Sequence, residues 1–213
     1  MRSYDQFCAM ARALDVVGDR WTLLIVRELL ARQPCRYTDL RYGLPGIATN
    51  LLADRLREME DNGLVVREAA PPPVATTLFR LTPRGKELRP VLEVLGRWGR
   101  PLLRDTSGET AFRSHWLVLP LEMQLRDHSP DEPPVTVEVD TADQPVSIMT
   151  AGGGVRVRPG TVADPDATLT GPPHLVIGLF MGDLDVETAE QSGLRIEGDV
   201  GAVRRIRTPI ASA

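Results

Sequence analysis

Thr49, Asn50, Asp54 and Arg57 lie within nine residues of one another, in a stretch whose apolar residues repeat with a helical period. Carried on one face of a helix, such groups read base edges. An asparagine amide bonds adenine through two atoms, a guanidinium bonds guanine or phosphate, and a carboxylate accepts from a cytosine amino group. The period decides the face: placing Leu52, Leu56 and Met59 inward turns Asn50, Asp54, Arg57 and Asp61 outward. Asp61 sits too far along to reach bases. Arg36, Tyr37, Arg41, Arg55, Arg67 and Thr77 carry groups that bind phosphate oxygens.

Other reactive residue types lead elsewhere. Cys8 and Cys35 are too few for a disulfide scaffold of this length. A thiol senses redox only where its surroundings favour the thiolate, and Cys8 reads as an idle thiol rather than a redox site. Cys35 has an electropositive neighbour in Arg36 but lies beside Pro34 of a turn, where simple exposure accounts for it equally well. His115, His128 and His174 match no metal-site spacing, so no metal is expected. Gly152-Gly153-Gly154 is not followed by a helix or a Lys-Ser/Thr pair, and a turn suffices. Asp164, Asp166, Asp183 and Asp185 suggest paired carboxylates, yet each sits in a Pro/Gly-rich turn that favours Asp locally. With no nucleophile elbow, triad order or dinucleotide fingerprint, neither a cofactor nor an enzyme is expected.

The elements around the base-reading stretch follow from pattern. Helical spacing runs from Phe7 to Val17 through Met10 and Leu14, and Gly18 stops it. Asp19 stands where an N-cap belongs, before the apolar stretch Trp21 to Leu30, with Trp21 as core anchor and Pro34 beyond its end. A short helix from Tyr37 to Tyr42 ends at Gly43-Leu44-Pro45-Gly46. The next, Ala48 to Asn62, stops at Gly63. Leu64 to Glu68 and Ala75 to Leu81 read as a hairpin with Ala69 to Pro73 between. Thr82-Pro83 opens a helix towards Leu103, and Pro90 within it either kinks it or delays its start. Helices, hairpin and a last long helix make the winged helix-turn-helix plan. A helix fits the major groove while the wing reaches the adjacent minor groove or phosphates.

With 213 residues, two domains are expected, residues 1–104 and 105–213, joined near Arg104 to Glu109. Hydrophobic and charged fractions of 42% and 25% exclude wholesale disorder. No apolar run approaches the roughly 18 residues of a spanning helix, and the start lacks a secretory pattern. A cytoplasmic protein with no membrane partner is expected. Residues 1–104 hold 17 basic and 12 acidic residues, a net +5, against −9 for the rest. That asymmetry suits a nucleic-acid-facing module joined to an acidic one. The second half reads as α+β: a helix near Ala111 to Arg126, strands at Val135–Val139, Val146–Met149, Val155–Val157 and Ala167–Thr170, helices at Pro173–Met181 and Val186–Gln191, a strand at Leu194–Glu197 and a last helix from Asp199 to Ile206.

Several blocks in order resemble the HxlR-type transcriptional regulators across residues 8–99. They are Cys8, Gly18-Asp19-Arg20-Trp21, Arg36-Tyr37-Thr38-Asp39-Leu40, Gly46-Ile47, Leu52 to Glu60, Asn62-Gly63-Leu64-Val65, Phe79 to Gly85, Leu88 and Trp98-Gly99. The resemblance implies a homodimer on double-stranded DNA, a repressor, with the N-terminal segment and the helix after the wing forming the dimer contact. It also implies that some relatives sense thiol oxidation. Two departures stand out. Ala48 replaces the Ser or Thr that often caps the recognition helix, leaving Thr49 to cap one residue later. The wing tip is Pro71-Pro72-Pro73 rather than a charged loop.

Residues 110–207 resemble sterol carrier protein type two-like domains through Ala163 to Gly171, Gly182-Asp183-Leu184 and Gly193 to Asp199. That resemblance implies an α+β fold with an apolar tunnel between a small sheet and its helices. Leu175, Ile177, Leu179, Phe180 and Met181 are apolar on every side of their helix, which is therefore fully buried or borders a cavity for a small apolar ligand. Three readings follow: a ligand-modulated regulator, a regulator whose second domain only dimerises or docks a protein, and a lipid-carrier-like protein.

Overall fold

A computed structural model describes residues 3–71, 75–105 and 110–208. Met1–Thr106 and Ser107–Ala213 form two compact units. In the first, the apolar run after Trp21 folds as α2 (Thr22–Arg32), preceded by α1 (Ala9–Val17). A two-residue strand β1 (Cys35–Arg36) leads into α3 (Tyr37–Gly43), and a tight turn leads to α4 (Thr49–Asp61). Strands β2 (Val65–Ala69) and β3 (Thr77–Leu81) form the hairpin, and β3 also pairs with β1 in an antiparallel sheet ordered β1-β3-β2. Ile25, Leu29, Leu40, Leu52, Met59 and Leu81 are among the buried side chains of one core.

Asp19 does not cap α2. Trp21 holds the cap position without a side-chain bond, and Asp19 instead pairs with Arg55, 36 residues away. Trp21 packs partly buried against the core. At the far end of α4, Gly63 takes φ +68°, a conformation that favours glycine. There Leu64 N–H donates to Met59 O at 2.8 Å and Gly63 N–H to Glu60 O at 2.9 Å, satisfying carbonyls the helix leaves open.

The run after Thr82 is two helices. Thr82 caps α5 (Pro83–Lys86), its Oγ1 accepting from Gly85 N–H at 3.1 Å. Pro90 then sits in the first turn of α6 (Arg89–Gly99), where a missing N–H costs nothing, and a 3-10 turn, Arg100–Asp105, follows. Pro90 thus marks a fresh helix start. The expected wing-tip residues Pro72 and Pro73 and the expected link at 106–109 lie outside the described residues.

The second unit is a five-stranded sheet ordered β6-β5-β4-β7-β8. A 3-10 turn at Ser114–Leu117 runs into α7 (Val118–Gln124), shorter than the helix expected near Ala111 to Arg126. Strands β4 (Thr136–Asp140), β5 (Val146–Ala151) and β6 (Gly154–Pro159) form an antiparallel meander. Gly152 and Gly153, at φ +56° and +76°, make its two-residue turn. Residues 160–166 then return to β7 (Ala167–Thr170), which pairs parallel with β4. Helices α8 (Pro173–Met181) and α9 (Val186–Gln191) precede β8 (Arg195–Gly198), and α10 (Val200–Ile206) closes the described fold.

Alternation sets the two faces of this sheet. Val137, Val139, Ile148, Val157 and Leu169 are buried on one face, against which α7 and α10 pack. Glu138 lies on the other, its Oε2 accepting from Val162 N–H of the returning segment at 3.1 Å. At the β6 edge, Val157 N–H donates to Glu122 Oε1 of α7 at 3.1 Å. Asp185 and Asp199 cap α9 and α10, accepting from Thr188 and Gly201 N–H at 2.6 and 2.7 Å. Arg205 of α10 forks onto Asp127 at 2.7 and 2.9 Å, tying the last helix to the segment after α7.

Candidate nucleic-acid interface

The stripe Leu52, Leu56 and Met59 anchors α4 in the core, and the opposite face is left to solvent. Thr49, Asn50 and Arg57 are exposed there, with Asp54 partly so. Thr49 does not cap: it is the first helical residue, and Ala48 holds the cap position with no side-chain bond. Thr49 contributes its carbonyl instead, accepting from the Tyr37 hydroxyl at 2.6 Å. That bond pins the start of α4 to the start of α3. Arg41, one turn beyond Tyr37 on the same face of α3, is exposed, as is Arg36 at the helix entry.

Tyr37, Arg57 and Arg67 meet around a depression of about 160 Å³, floored by Ala53, Leu56 and Phe79. Three candidates that are far apart in sequence therefore converge between α3, α4 and the hairpin. Their charges are partly met within the protein. Arg57 pairs with Asp54 at 2.9 Å, and Arg67 pairs with Glu60 at 2.5 Å. Glu60 raises the Arg67 guanidinium above its ordinary range, first by hydrogen bonding and then by charge. Exposed pairs of this kind contribute little to stability.

Arg55 is placed differently from the other candidates. Its side chain is largely buried and pairs with Asp19 and, at 2.6 Å, with Glu58. It joins α4 to the turn after α1. Thr77 is exposed on β3, opposite Ala69.

The HxlR-like helix-turn-helix family model matches residues 16–107. The HTH-type transcriptional regulator sll1512 of Synechocystis sp. is 33% identical over 102 residues, which are 48% of this chain and 75% of that protein. This chain belongs to the HxlR-like helix-turn-helix family. The HTH-type transcriptional regulator YodB of Bacillus subtilis is 32% identical over 89 residues, 42% of this chain and 79% of that one. The solved reduced form of YodB covers 44% of this chain and 92% of its own, with 29% identity and a TM-score of 0.40.

The two thiols of the first unit differ sharply. Cys8 is exposed at the entry to α1. Cys35, for which exposure was one reading, is buried at 1%, its thiol donating to Arg32 O at 3.5 Å. Burial pushes that thiol up to about 12, against a smaller lowering by Arg32. The thiolate is the nucleophile, so Cys35 is protected both by access and by protonation. Iodoacetamide at pH 8 is expected to add one label per native chain, at Cys8, and a second only after denaturation. Rapid native labelling of Cys35, read by peptide mass, would contradict this placement.

Beyond the family match, Leu175, Leu179 and Phe180 of α8 are buried, and the last two have no accessible surface. Ile177 and Met181 are half-buried. Among the described residues no cluster of three or more metal-ligating side chains occurs, and no helix is long and apolar enough to cross a membrane.

The sequence candidates leave out one buried carboxylate. Glu28, in the apolar run of α2, has no accessible surface. The signal was present: arginines flank it at 27 and 32, the second one helical turn on.

Proposed function

We propose that the protein is a DNA-binding repressor that reads a pseudo-palindromic operator as a homodimer. One observation carries the reading. The α4 face opposite the core presents Asn50 and Arg57, while Tyr37, Arg41 and Arg67 flank it from α3 and the hairpin. Asn50 and Arg57 read base edges, with Thr49 and Asp54 at their margin. Arg36, Arg41, Arg67 and Thr77 hold phosphates, while Tyr37, expected among them, spends its one hydroxyl proton on Thr49 O and so holds the start of α4. Arg55 instead holds α4 in place, its guanidinium paired with Asp19 and Glu58.

The dimer is supported by surface that the fold does not bury. No residue of α6 is buried, although Val91, Val94, Leu95 and Trp98 form a continuous apolar stripe. Phe7, Met10 and Leu14 form a second exposed apolar group on and before α1. Monomers rarely expose contiguous apolar surface of that kind. Two-fold pairing would place the two α4 helices about one DNA turn apart.

For residues 107–213 the proposal is an effector domain of sterol-carrier type. A one-sided apolar sheet and the apolar run Leu175 to Met181 of α8 support it. A small apolar ligand would enter beside Ile177 and Met181, whose side chains retain accessible surface, and change the dimer's affinity for DNA. Native mass spectrometry of freshly purified protein tests this half. A dimer carrying an extra small mass is expected, and equal DNA affinity with and without that molecule would remove the coupling.

The DNA reading is tested with duplexes selected by the wild type from a random pool. Asn50→Ala is expected to relax preference at one base pair, costing about 1–3 kcal/mol there. Arg41→Ala should weaken all sequences alike and reduce the salt slope by about one. Identical behaviour of the two variants would overturn the docking arrangement, and a wild type with no salt-dependent DNA binding would remove the function.

A further inference from the structure

Glu28 lies where a charge is costly, and its surroundings explain what it does there. Its Oε1 accepts from Arg27 Nε at 3.1 Å and Nη2 at 2.8 Å, and its Oε2 accepts from Arg32 Nη2 at 2.8 Å. Neighbouring helical residues do not normally face one another, so Arg27 folds back to reach its own neighbour. The same two Nη2 groups then reach across to α3. Arg27 donates to Gly43 O at 3.1 Å, and Arg32 donates to Asp39 O at 2.7 Å.

Gly43 is fitted to this arrangement. A Cβ there would stand 1.7 Å from Glu28 Oε2 and 2.8 Å from Arg32 Nη2. A side chain at 43 would displace the Glu28 carboxylate and the arginine bonded to it. The connection onward is short and bonded. Leu44 N–H donates to Arg41 O, Ile47 N–H donates to Leu44 O, and the Tyr37 hydroxyl closes onto Thr49 O. Leu44 and Ile47 are both buried, so the turn has little freedom to absorb a shift of α3.

Stability alone does not call for this design. A buried Arg–Glu–Arg group can often be replaced by apolar residues without loss of stability, whereas directional bonds to chosen carbonyls fix one relative placement. We propose that Glu28 is a positioning residue for DNA reading: by orienting Arg27 and Arg32 onto the carbonyls of Gly43 and Asp39, it sets the height and tilt of α3, and through the short turn it sets where α4 presents Asn50 and Arg57. This rests on α4 being the DNA-reading helix. Burial lowers the Arg27 guanidinium below its ordinary value, and Glu28 opposes that lowering.

The test uses the full chain and two duplexes, one selected by the wild type from a random pool and one scrambled. Glu28→Gln keeps the side chain's shape and removes its charge. Arg32→Lys keeps a charge beside Glu28 but shortens the side chain, withdrawing the one nitrogen, Nη2, that bonds both Glu28 and Asp39 O. Both are expected to lower affinity for the selected duplex about tenfold or more while holding the scrambled duplex within about twofold, so the specificity ratio falls. The salt slope on the scrambled duplex should be unchanged, since no phosphate-contacting charge is lost. A merely structural role predicts the opposite: both affinities fall together with the folded fraction and recover on adding a stabilising osmolyte. That result, or a ratio within about twofold of wild type in the folded variants, overturns the proposal. Should Glu28→Gln fail to fold, Arg32→Lys decides between the same two outcomes. A wild type that selects no sequence removes the reading of α4 itself, which the variants' behaviour cannot mimic.

Discussion

Replacing Val94 and Trp98 together by aspartate is expected to leave a folded monomer whose affinity for a selected operator is lower by about 10²–10⁴-fold. Both side chains are exposed, at 64% and 73%, so the core loses nothing. They sit mid-stripe on α6, flanked by Val91 and Leu95 at helical spacing. In a two-fold interface each aspartate would be dried out twice without a partner, which is the costliest change a surface of this kind can suffer. The loss of affinity is geometric: one half-site no longer brings the second within reach. Sedimentation velocity and circular dichroism check the assembly and the fold. A double variant that stays dimeric would place the contact elsewhere, and a monomeric wild type would remove the paired-half-site arrangement.

The second large effect is expected at Phe180→Ala, about 3–5 kcal/mol of stability in the second unit. Phe180 is among the largest side chains without accessible surface, and Val176 and Leu179 of the same helix are equally enclosed. Deleting the ring removes its transfer energy and leaves a hole lined by atoms that lose their contacts. Hydrogen exchange resolved by peptide should show amides of β4, β5 and β7 losing protection by about 10²–10³-fold or more. A cost under about 1 kcal/mol would mean that the site collapses freely, as a wall bordering open space would. That outcome would extend the proposed ligand entry from Ile177 and Met181 to Phe180 between them.

Much of the local structure was legible because local chemistry decides it. Leu52, Leu56 and Met59 announce the buried face of α4, Gly63 announces its end and Asp199 announces a helix start, whereas Asp185, read as a turn residue, caps a helix as well. What could not be read depends on partners distant in sequence. Asp19 looks like a cap until Arg55, in another helix, claims it. Arg67 looks free until the hairpin lays it beside Glu60. β1 is two residues long and exists because β3 offers it an edge, and the burial of Cys35 follows from that pairing. Pro90 left two outcomes open, and the turn at Glu87 and Leu88 decided for a new helix. The candidate reading face was visible as residue types; which of its cations are already neutralised was not.

The bond from Val157 N–H to Glu122 has a consequence for how these molecules behave when crowded. An unpaired strand margin is a template on which identical chains can line up and polymerise. Here a carboxylate from α7 occupies one of the amides that such growth would use. Arg156 and Arg158 add exposed like charges along the same margin, and Pro159 closes it with a residue that has no N–H. An incoming copy of β6 would meet its own arginines and a missing donor. Runaway fibre growth from this edge is thereby disfavoured, which matters for a protein that carries exposed apolar surface elsewhere and must still remain dispersed.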